Sequence, residues 1–312
     1  MKKILHLIFG RFFVVAMAII LQVLWLCVVL WQLSYKFTYV NLLVRVIAII
    51  VVLVIVNKWT NPANKLSWTF LILLSPIFGL MVYFLFGRSG LTKHTRERMD
   101  AVNRQVEALF QRDSAVEKGL EKESRSAYLQ SSYIDKWAGF PLYQNTQTKY
   151  YSCGEEMFPD MLEALRGAKH FIFLEYFIIE EGYMFNTILD ILEEKAKAGV
   201  DVRFIYDDVG SINSISFGYY KKLQERGIPC VTFNPFKPLI SVVMNNRDHR
   251  KIFVVDGYIG FTGGINLADE YINKVKRFGY WKDTGVRIEG EAVWSLTAMF
   301  LEMWNYINRS TE

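Results

Sequence analysis

The chain has 312 residues and a formal net charge of +5, and 52% of its residues are hydrophobic and 15% aromatic. This composition excludes an intrinsically disordered protein and is too apolar for an ordinary soluble domain. The length allows one large or two modest domains. The three cysteines, Cys27, Cys153 and Cys230, are scattered along the chain, so they indicate neither a disulfide framework nor a zinc site.

Apolar residues concentrate before residue 88, in the three stretches Phe12–Leu33, Leu42–Val56 and Leu66–Phe86. The first and third are long enough to cross a hydrocarbon core of about 30 Å, whereas the second is shorter and is interrupted by Arg45. No small-residue cleavage site follows the first stretch, so we expect an anchor and not a removed signal peptide. We assign residues 1–88 to this membrane anchor of two to three segments.

Basic residues lie on both sides of the anchor: Lys2 and Lys3 precede it, and Arg96 and Arg98 follow it. The positive-inside rule places both sides in the cytoplasm, which requires an even number of crossings. We therefore expect two effective spans, with Leu42–Val56 the doubtful one, and a cytoplasmic position for the rest of the chain.

Residues 89–135 are predicted to form an amphipathic helical linker. Apolar side chains recur there at helical spacing, at Met99, Val102, Val106, Leu109 and Phe110. This stripe can pack on the domain that follows or lie on a bilayer surface, and we expect packing.

Residues 136–312 alternate between strand and helix patterns. Strands are predicted at Phe171–Ile178, Val200–Tyr206, Ile228–Phe233, Ile252–Val255, Tyr258–Thr262 and Val286–Glu289. Helices are predicted at Met184–Ala198, before Gly227, and at Ala292–Ile307. The pattern predicts an α/β fold, a mostly buried mixed sheet flanked by helices.

The stretch that is most informative about function is NNRDHRKIFVVDGYIGFTGGIN, residues 245–266. It contains His249-x-Lys251-x4-Asp256, followed by Gly263-Gly264-x-Asn266. The complete pattern would arise by chance in about two chains in a million of this composition, so it is a specific signal.

The spacing of this motif indicates phosphoryl chemistry. Residues two apart on a strand project from the same face, so His249 and Lys251 point into one pocket and Arg250 points away. A neutral imidazole can attack phosphorus, and an ammonium beside it neutralises charge on the phosphoryl oxygens. The glycines allow close backbone approach, and the Asn266 amide can donate to a phosphate oxygen. This chemistry requires no metal or other cofactor.

Each of these residues also has a structural interpretation. A lone histidine is more often a hydrogen-bonded core residue, but the long pattern around His249 favours the functional one. Glu175, inside an apolar strand, is a pocket residue or half of a structural ion pair, with equal weight on the sequence. Asp207 and Asp208, at the end of a strand, can line the pocket or cap a turn.

The motif resembles the HKD motif of the phospholipase D superfamily. The segments around it resemble bacterial cardiolipin synthases: NPANKLSWTFLILLSPIFGLMVYFLFGRS in the membrane part, and FIFLEYFIIEEG, GVDVRFIYDDVGS and HRKIFVVDGYIGFTGGINLADEY in the first catalytic half. The resemblance covers the chain from about residue 40 to the end. It implies a phospholipase D-like half preceded by transmembrane helices, multi-pass in a bacterial cell membrane.

The resemblance also implies an activity. A phosphatidyl group would pass between two phosphatidylglycerol molecules, giving cardiolipin and glycerol through a phosphohistidine on His249. Lys251 and Asn266 would bind the phosphoryl oxygens beside Gly264, and Glu175 would lie near the glycerol headgroup.

Two aspartates complete the implied site. Asp283 matches the carboxylate position that holds the nucleophilic imidazole in this superfamily. Asp256 belongs to the motif, although its position in an Asp-Gly hairpin turn suggests a structural role. The sequence departs from its relatives at Asp248, where they commonly carry Asn, and at Gly285, where a His is common.

The family's enzymes carry two HKD motifs that share one active site, and this chain has one. The second histidine, which protonates the leaving alkoxide, must come from a missing C-terminal region or from a homodimer mate. We expect the chain to be a piece of a longer enzyme.

Three functions remain open from the sequence. The first is the phosphatidyltransferase, and the second is a phospholipase D-type hydrolase in which water replaces the acceptor alcohol. The third is a catalytically incompetent membrane protein, because the second motif is absent. In every case the expected partners are phosphatidylglycerol and membrane lipid, and the anchor disfavours nucleic acid as a substrate.

Overall fold

The computed structural model describes residues 17, 19–29, 38–87, 93–236 and 246–310. These residues fall into two compact units. The helices before residue 88 belong to the first unit, and residues 93–235 and 247–310 belong to the second.

The described part of the first unit contains the apolar helices α1 (Ile19–Val29), α2 (Thr38–Asn57), α3 (Pro62–Leu74) and α4 (Pro76–Phe86). Within the described residues, α2 alone is long and apolar enough to cross a membrane, over Tyr39–Asn57. The doubtful stretch of the sequence is therefore the one that forms the long helix. The predicted first span lies partly outside the described residues.

The predicted span Leu66–Phe86 is not one continuous helix, because the chain breaks at Ser75-Pro76. Proline has no N–H to donate and disfavours a helical conformation in the residue before it, and Ser75 is extended at φ −140° and ψ 84°. The resulting helices of 13 and 11 residues rise about 20 Å and 17 Å, which is short of the about 30 Å hydrocarbon core.

The predicted single linker helix is three helices in the structure: α5 (Lys93–Glu107), α6 (Ser114–Glu123) and α7 (Arg125–Ala138). The breaks coincide with side-chain caps. The Asp113 carboxylate accepts the N–H of Ala115 at 2.8 Å, and the Ser124 hydroxyl accepts the N–H of Ala127 at 3.4 Å.

The apolar stripe of α5 and of the residues directly after it packs on the domain that follows, as expected. Val102, Val106 and Phe110 are buried, and the last two contact Ala298 near the C-terminal end of the chain. Leu109 is the exception, since it is exposed.

The remaining residues form a seven-stranded mixed sheet with helices on both faces. The strands are β1 (Thr146–Tyr151), β2 (Phe171–Tyr176), β3 (Asp201–Asp207), β4 (Cys230–Phe233), β5 (Ile252–Val255), β6 (Ile259–Gly263) and β7 (Gly285–Gly290). Their order is β1-β7-β6-β5-β2-β3-β4, with β2–β3 and β3–β4 parallel and the other neighbours antiparallel. The predicted mixed α/β fold is confirmed. Only β1 was not predicted, because its side chains are mostly exposed and carry no apolar alternation.

Four helices cover the sheet: α8 (Gly154–Gly167), α9 (Tyr183–Lys197), α10 (Tyr219–Glu225) and α11 (Val293–Asn308). Phe253 and Val255 of β5 belong to the core that also contains residues of α8, α9 and α10. Ile252 and Val254 belong to the core that contains residues of α11. This alternation decides which face each residue of the motif reaches.

Candidate active site

His249 and Lys251 lie together in the extended segment that leads into β5. The Nζ atom of Lys251 is 3.1 Å from Nδ1 of His249 and donates to the His249 carbonyl at 2.7 Å. The imidazole is exposed, whereas Lys251 is only 4% exposed. An accessible ring nitrogen therefore stands beside a largely buried positive charge.

An aromatic ring, that of Phe177, completes this group, and sequence reasoning missed it. Its centroid is 4.5 Å from the His249 ring and 5.4 Å from Nζ of Lys251. Phe177 follows the last residue of β2, and β2 pairs with β5, which explains why the two chain segments meet. The ring lies within cation–π distance of the ammonium, so it favours the charged form of this largely buried lysine.

The charge of Lys251 depends on opposing effects. Burial lowers the pKa of the Lys251 ammonium below its ordinary value, and the carboxylates of Asp248 and Asp283 oppose that shift. An ammonium with few solvent partners binds an incoming phosphate oxygen more strongly than a solvated one would.

The backbone that carries His249 is held by Asp207, at the C-terminal end of β3. The buried carboxylate accepts the N–H of Asp248 at 3.0 Å through Oδ2, and those of Val209 and Gly210 at 2.9 and 2.8 Å through Oδ1. Arg247 lies 3.3 Å from the same carboxylate. Burial raises the pKa of Asp207, and these backbone N–H groups and Arg247 oppose the rise.

Asp207 therefore caps a turn, as the sequence allowed, and also fixes the segment just before the histidine. The second role was not visible in the sequence, because it joins positions 41 residues apart.

Asn266 is buried beside the chain that leaves β2. Its side-chain oxygen accepts the N–H of Ile178 at 3.0 Å, and its amide nitrogen donates to the Tyr271 hydroxyl at 2.8 Å. A side-chain amide has two N–H bonds, so Asn266 has one further donor for a phosphate oxygen.

The Gly263-Gly264 pair brings Asp283 close to the site. Gly263 has φ +151°, and a side chain at Gly264 would overlap the Asp283 carboxylate. The N–H of Gly264 donates to the Thr284 carbonyl at 3.0 Å, so this N–H is not available as a phosphate ligand. Among the described residues, Asp283 makes no hydrogen bond to His249; it acts on Lys251 through its charge.

Asp256 is at the opposite end of β5 from His249, about 23 Å away along the chain at about 3.3 Å per residue. Its carboxylate accepts the N–H groups of Lys169, His170 and Phe171 at 2.7–2.9 Å. The structure does not bring Asp256 to His249. Its position supports the structural role that the hairpin turn suggested, because it ties the start of β2 to the end of β5.

Glu175 also lies away from the nucleophile, on the face of the sheet that α11 covers. It is fully buried, and its Oε1 atom is 2.6 Å from Nε of Arg250, which in turn is 3.2 Å from Asp248. Burial raises the pKa of Glu175 well above its ordinary value, with Arg250 opposing the rise. Of the two interpretations of Glu175, the structure supports the ion pair, and it places no part of Glu175 beside His249.

The two departures from the family pattern fit their surroundings. Asp248 is buried against Arg250, so its charge is shared in that ion-pair group. Gly285 packs against Met157, and a side chain there would overlap the sulfur atom. In the part of the chain that the structure describes, no three His, Cys, Asp or Glu side chains are placed to hold a metal ion.

This fold and this histidine–lysine pair define a phospholipase D-like domain. Residues 161–304 match the family model described as "Cardiolipin synthase, PLD-like domain", and residues 46–88 match the model "Phospholipase_D-nuclease N-terminal".

Two curated proteins show the same likeness. Cardiolipin synthase 1 of Bacillus anthracis is 35% identical over 277 residues, which are 86% of this chain and 53% of that protein. An uncharacterized protein of Streptococcus mutans is 41% identical over 261 residues, 84% of this chain and 57% of that one. Among solved structures, the phospholipase D family member Nuc of Salmonella typhimurium aligns with a TM-score of 0.38 and 22% identity, over 53% of this chain and 94% of that chain.

The chain is therefore similar to cardiolipin synthases over residues 161–304, and its N-terminal part is similar to the segment that the second model describes. It spans about half the length of the curated relatives that it matches.

Proposed function

We propose that this chain is the membrane-anchored first half of a cardiolipin synthase, which transfers a phosphatidyl group from one phosphatidylglycerol to another. The single observation that carries the proposal is the contact between Lys251 and the exposed imidazole of His249, over the ring of Phe177. This arrangement offers a nucleophile and a phosphate-binding charge at one accessible point.

In the first step, a ring nitrogen of His249 attacks the phosphorus of one phosphatidylglycerol. Lys251 contacts Nδ1, so Nε2 is the nitrogen that points away from the ammonium, and we assign the attack to Nε2. The attacking nitrogen must carry no proton, so the ring proton is then on Nδ1. Because an ammonium can only donate, Lys251 leaves Nδ1 when the ring takes up this tautomer. The Nε2–P bond forms, the bond from phosphorus to the headgroup oxygen breaks, and the departing alkoxide takes a proton and leaves as glycerol. In this step the ammonium moves from Nδ1 to a phosphoryl oxygen.

In the second step, a hydroxyl of the other phosphatidylglycerol attacks the phosphohistidine. A new O–P bond forms, the Nε2–P bond breaks, and the hydroxyl proton returns to the general base. The products are cardiolipin and a regenerated His249, so the atoms of the two substrates are all accounted for. Asn266 offers its remaining N–H to a phosphoryl oxygen, and Asp283 acts as a positioning residue through Lys251.

The proton donor and acceptor of both steps is a second histidine outside this chain. Support comes from the relatives, of which the chain covers 57% and 53%. The second half would be the missing part of a longer chain, or a second copy of this one.

We also propose that the anchor places the catalytic part at the cytoplasmic face of a cell membrane. The helix Tyr39–Asn57 supports an anchor, because it is apolar, long enough to span and mostly unburied. The basic residues on both sides of the anchor support the cytoplasmic orientation.

The test is to incubate the purified full chain in phosphatidylglycerol vesicles and to analyse the lipids. Cardiolipin together with glycerol supports the transferase, phosphatidic acid supports the hydrolase, and neither product indicates that this chain alone is incompetent. His249→Ala must abolish any turnover. His170→Ala is the matched control, since His170 is exposed and is not part of the site.

A further inference from the structure

We propose that the segment Lys274–Lys282, called here the basic loop, docks on the surface of an anionic bilayer beside the active site. The loop takes no part in the bond-making steps, so this inference goes beyond the proposed reaction. It concerns how the catalytic unit meets the membrane in which its lipid substrates lie.

The composition of the basic loop is the first support. Its nine residues include four basic side chains and no acidic one: Lys274, Lys276, Arg277 and Lys282. Between them stand exposed apolar and aromatic side chains, with Val275 52%, Phe278 73% and Tyr280 67% exposed. Basic residues interleaved with aromatic ones are typical of segments that lie at the headgroup level of a membrane, because the charges meet anionic lipids and the rings settle in the interface.

The second support is that the two ends of the basic loop are held together by hydrogen bonds. Asn273 adopts a left-handed conformation with φ +51°, and its side chain bridges to the far end of the loop. Its oxygen accepts the N–H of Trp281 at 2.7 Å, and its amide donates to the Trp281 carbonyl at 2.9 Å and to Glu155 at 2.8 Å. The Trp281 ring packs between those of Tyr271 and Phe278, at centroid distances of 5.2 and 5.8 Å. The exposed aromatics are therefore presented on a fixed base.

The third support is that this base is continuous with the active site. Tyr271, whose ring contacts that of Trp281, accepts the hydrogen bond from Asn266 at 2.8 Å. Asp283 directly follows the loop and lies against Gly264, close enough for its charge to act on Lys251. A surface that binds the loop is thereby held next to the residues that would bind a lipid phosphate.

The charges of the basic loop favour an anionic surface as its binding partner. Arg277 is used internally, since it pairs with Glu270 at 3.1 Å and Glu180 at 3.4 Å, and Lys274 lies 4.5 Å from the Tyr183 ring. Among the described residues, Lys276 and Lys282 form no ion pair, and both are exposed. Two unpaired lysines flanking exposed aromatics complement a surface of phosphate charge over an apolar interior.

The test places a fluorophore on the loop of the full chain. Val275→Cys is labelled in a background in which Cys27, Cys153 and Cys230 are replaced by alanine, and Tyr258→Cys is the matched control. Tyr258 is an exposed aromatic beside the β5–β6 turn, at the end of β5 remote from His249. Each labelled protein is reconstituted in phosphatidylcholine vesicles with or without phosphatidylglycerol, and quenching by brominated acyl chains is measured.

We expect strong quenching at position 275 only when phosphatidylglycerol is present, and none at position 258 in either lipid. The double variant Lys276→Gln/Lys282→Gln should weaken docking about thirtyfold, which corresponds to about 1 kcal/mol for each lysine removed. Phe278→Ser should weaken quenching while leaving its dependence on phosphatidylglycerol in place.

Three results would overturn the inference: no quenching at position 275, equal quenching with and without phosphatidylglycerol, or equal quenching at position 258. A label at 275 that responds to protein concentration without vesicles would assign the loop to contacts between copies and would also overturn it. All measurements are repeated with His249→Ala. Docking should persist there, so failure of the proposed reaction and failure of docking are seen separately.

Discussion

The two ends of strand β5 carry parts of the same short motif and do different work. At the N-terminal end, His249 and Lys251 converge on one another, with the imidazole exposed and the ammonium almost buried. At the C-terminal end, Asp256 is occupied by three backbone N–H groups and is remote from the nucleophile. The motif therefore contains residues of two kinds, those that form the candidate site and those that hold the strand in place. Belonging to the motif does not by itself tell which kind a residue is.

The largest effect is expected at the N-terminal end of β5, where His249 lies. His249→Ala should reduce phosphatidyl transfer by at least about a thousandfold, because the proposed reaction forms its covalent intermediate on this imidazole. The free energy of unfolding should change by less than about 0.5 kcal/mol, since the imidazole is exposed. Product analysis and thermal unfolding in the same detergent measure the two effects. A large decrease in the free energy of unfolding would indicate a structural role for His249 and would contradict this assignment.

At the scaffold end, Asp256→Asn should show the reverse pattern. Hydrogen bonds to a charged group contribute roughly 1.5–3 kcal/mol each, so losing the carboxylate should lower the free energy of unfolding by about 3 kcal/mol. Turnover per folded molecule should stay within about twofold of the parent. A loss of turnover without a loss of stability would contradict the assignment.

The pH dependence of the same bonds has a defined sign. Burial works to raise the pKa of Asp256, but the three N–H groups outweigh it and hold the pKa below its ordinary value. The stabilisation is therefore present above the unfolded-state pKa of about 3.9 and is lost as the pH falls through the folded-state pKa. Unfolding of the parent and of Asp256→Asn, compared across acidic pH, should show this contribution in the parent only.

Glu175 gives an effect of the opposite sign. Because burial raises its folded-state pKa well above the unfolded value, its contribution to stability is complete below the unfolded pKa of about 4.3 and is lost as the pH rises through the folded pKa. Glu175→Gln should remove this loss, and a difference of about 1.4 kcal/mol corresponds to one pKa unit. Turnover should survive the substitution; a selective loss of turnover would return Glu175 to the headgroup pocket.

The mildest effect concerns Lys251. Since burial lowers the pKa of its ammonium, activity should decline on the alkaline side at a lower pH than an ordinary lysine would allow. Lys251→Arg should move this alkaline limb upward in whatever activity remains, because a guanidinium stays charged. A pH–rate profile of both proteins measures it, and identical limbs would show that another group titrates.

Much of the fold could be predicted from the sequence, because the buried strands are apolar runs that turn-forming residues bound. Ile252–Val255 is an example of an apolar run, and Asp256-Gly257 is an example of a turn. The edge strand β1 escaped prediction because an exposed strand has no apolar alternation. The break at Ser75-Pro76 was readable from the proline and was outweighed by the apolar length around it.

The candidate site was predictable as far as its motif and no further. Their spacing along the chain identified His249, Lys251 and Asn266 as candidate site residues. Phe177 and Asp207 reach the same place through strand pairing, and no local pattern marks them. The basic loop was not predicted from the sequence, and its closed base depends on the contacts of Asn273 and Trp281, which only the folded chain reveals.

The carboxylate of Asp207 has a consequence for how the segment before β5 becomes ordered. This segment has no strand neighbour, yet its backbone is already held by a buried acid when the chain folds. The entropy of orienting His249 is therefore lost in folding and not in the encounter with a ligand. In the proposed reaction, a second histidine would then meet an imidazole whose position is already set.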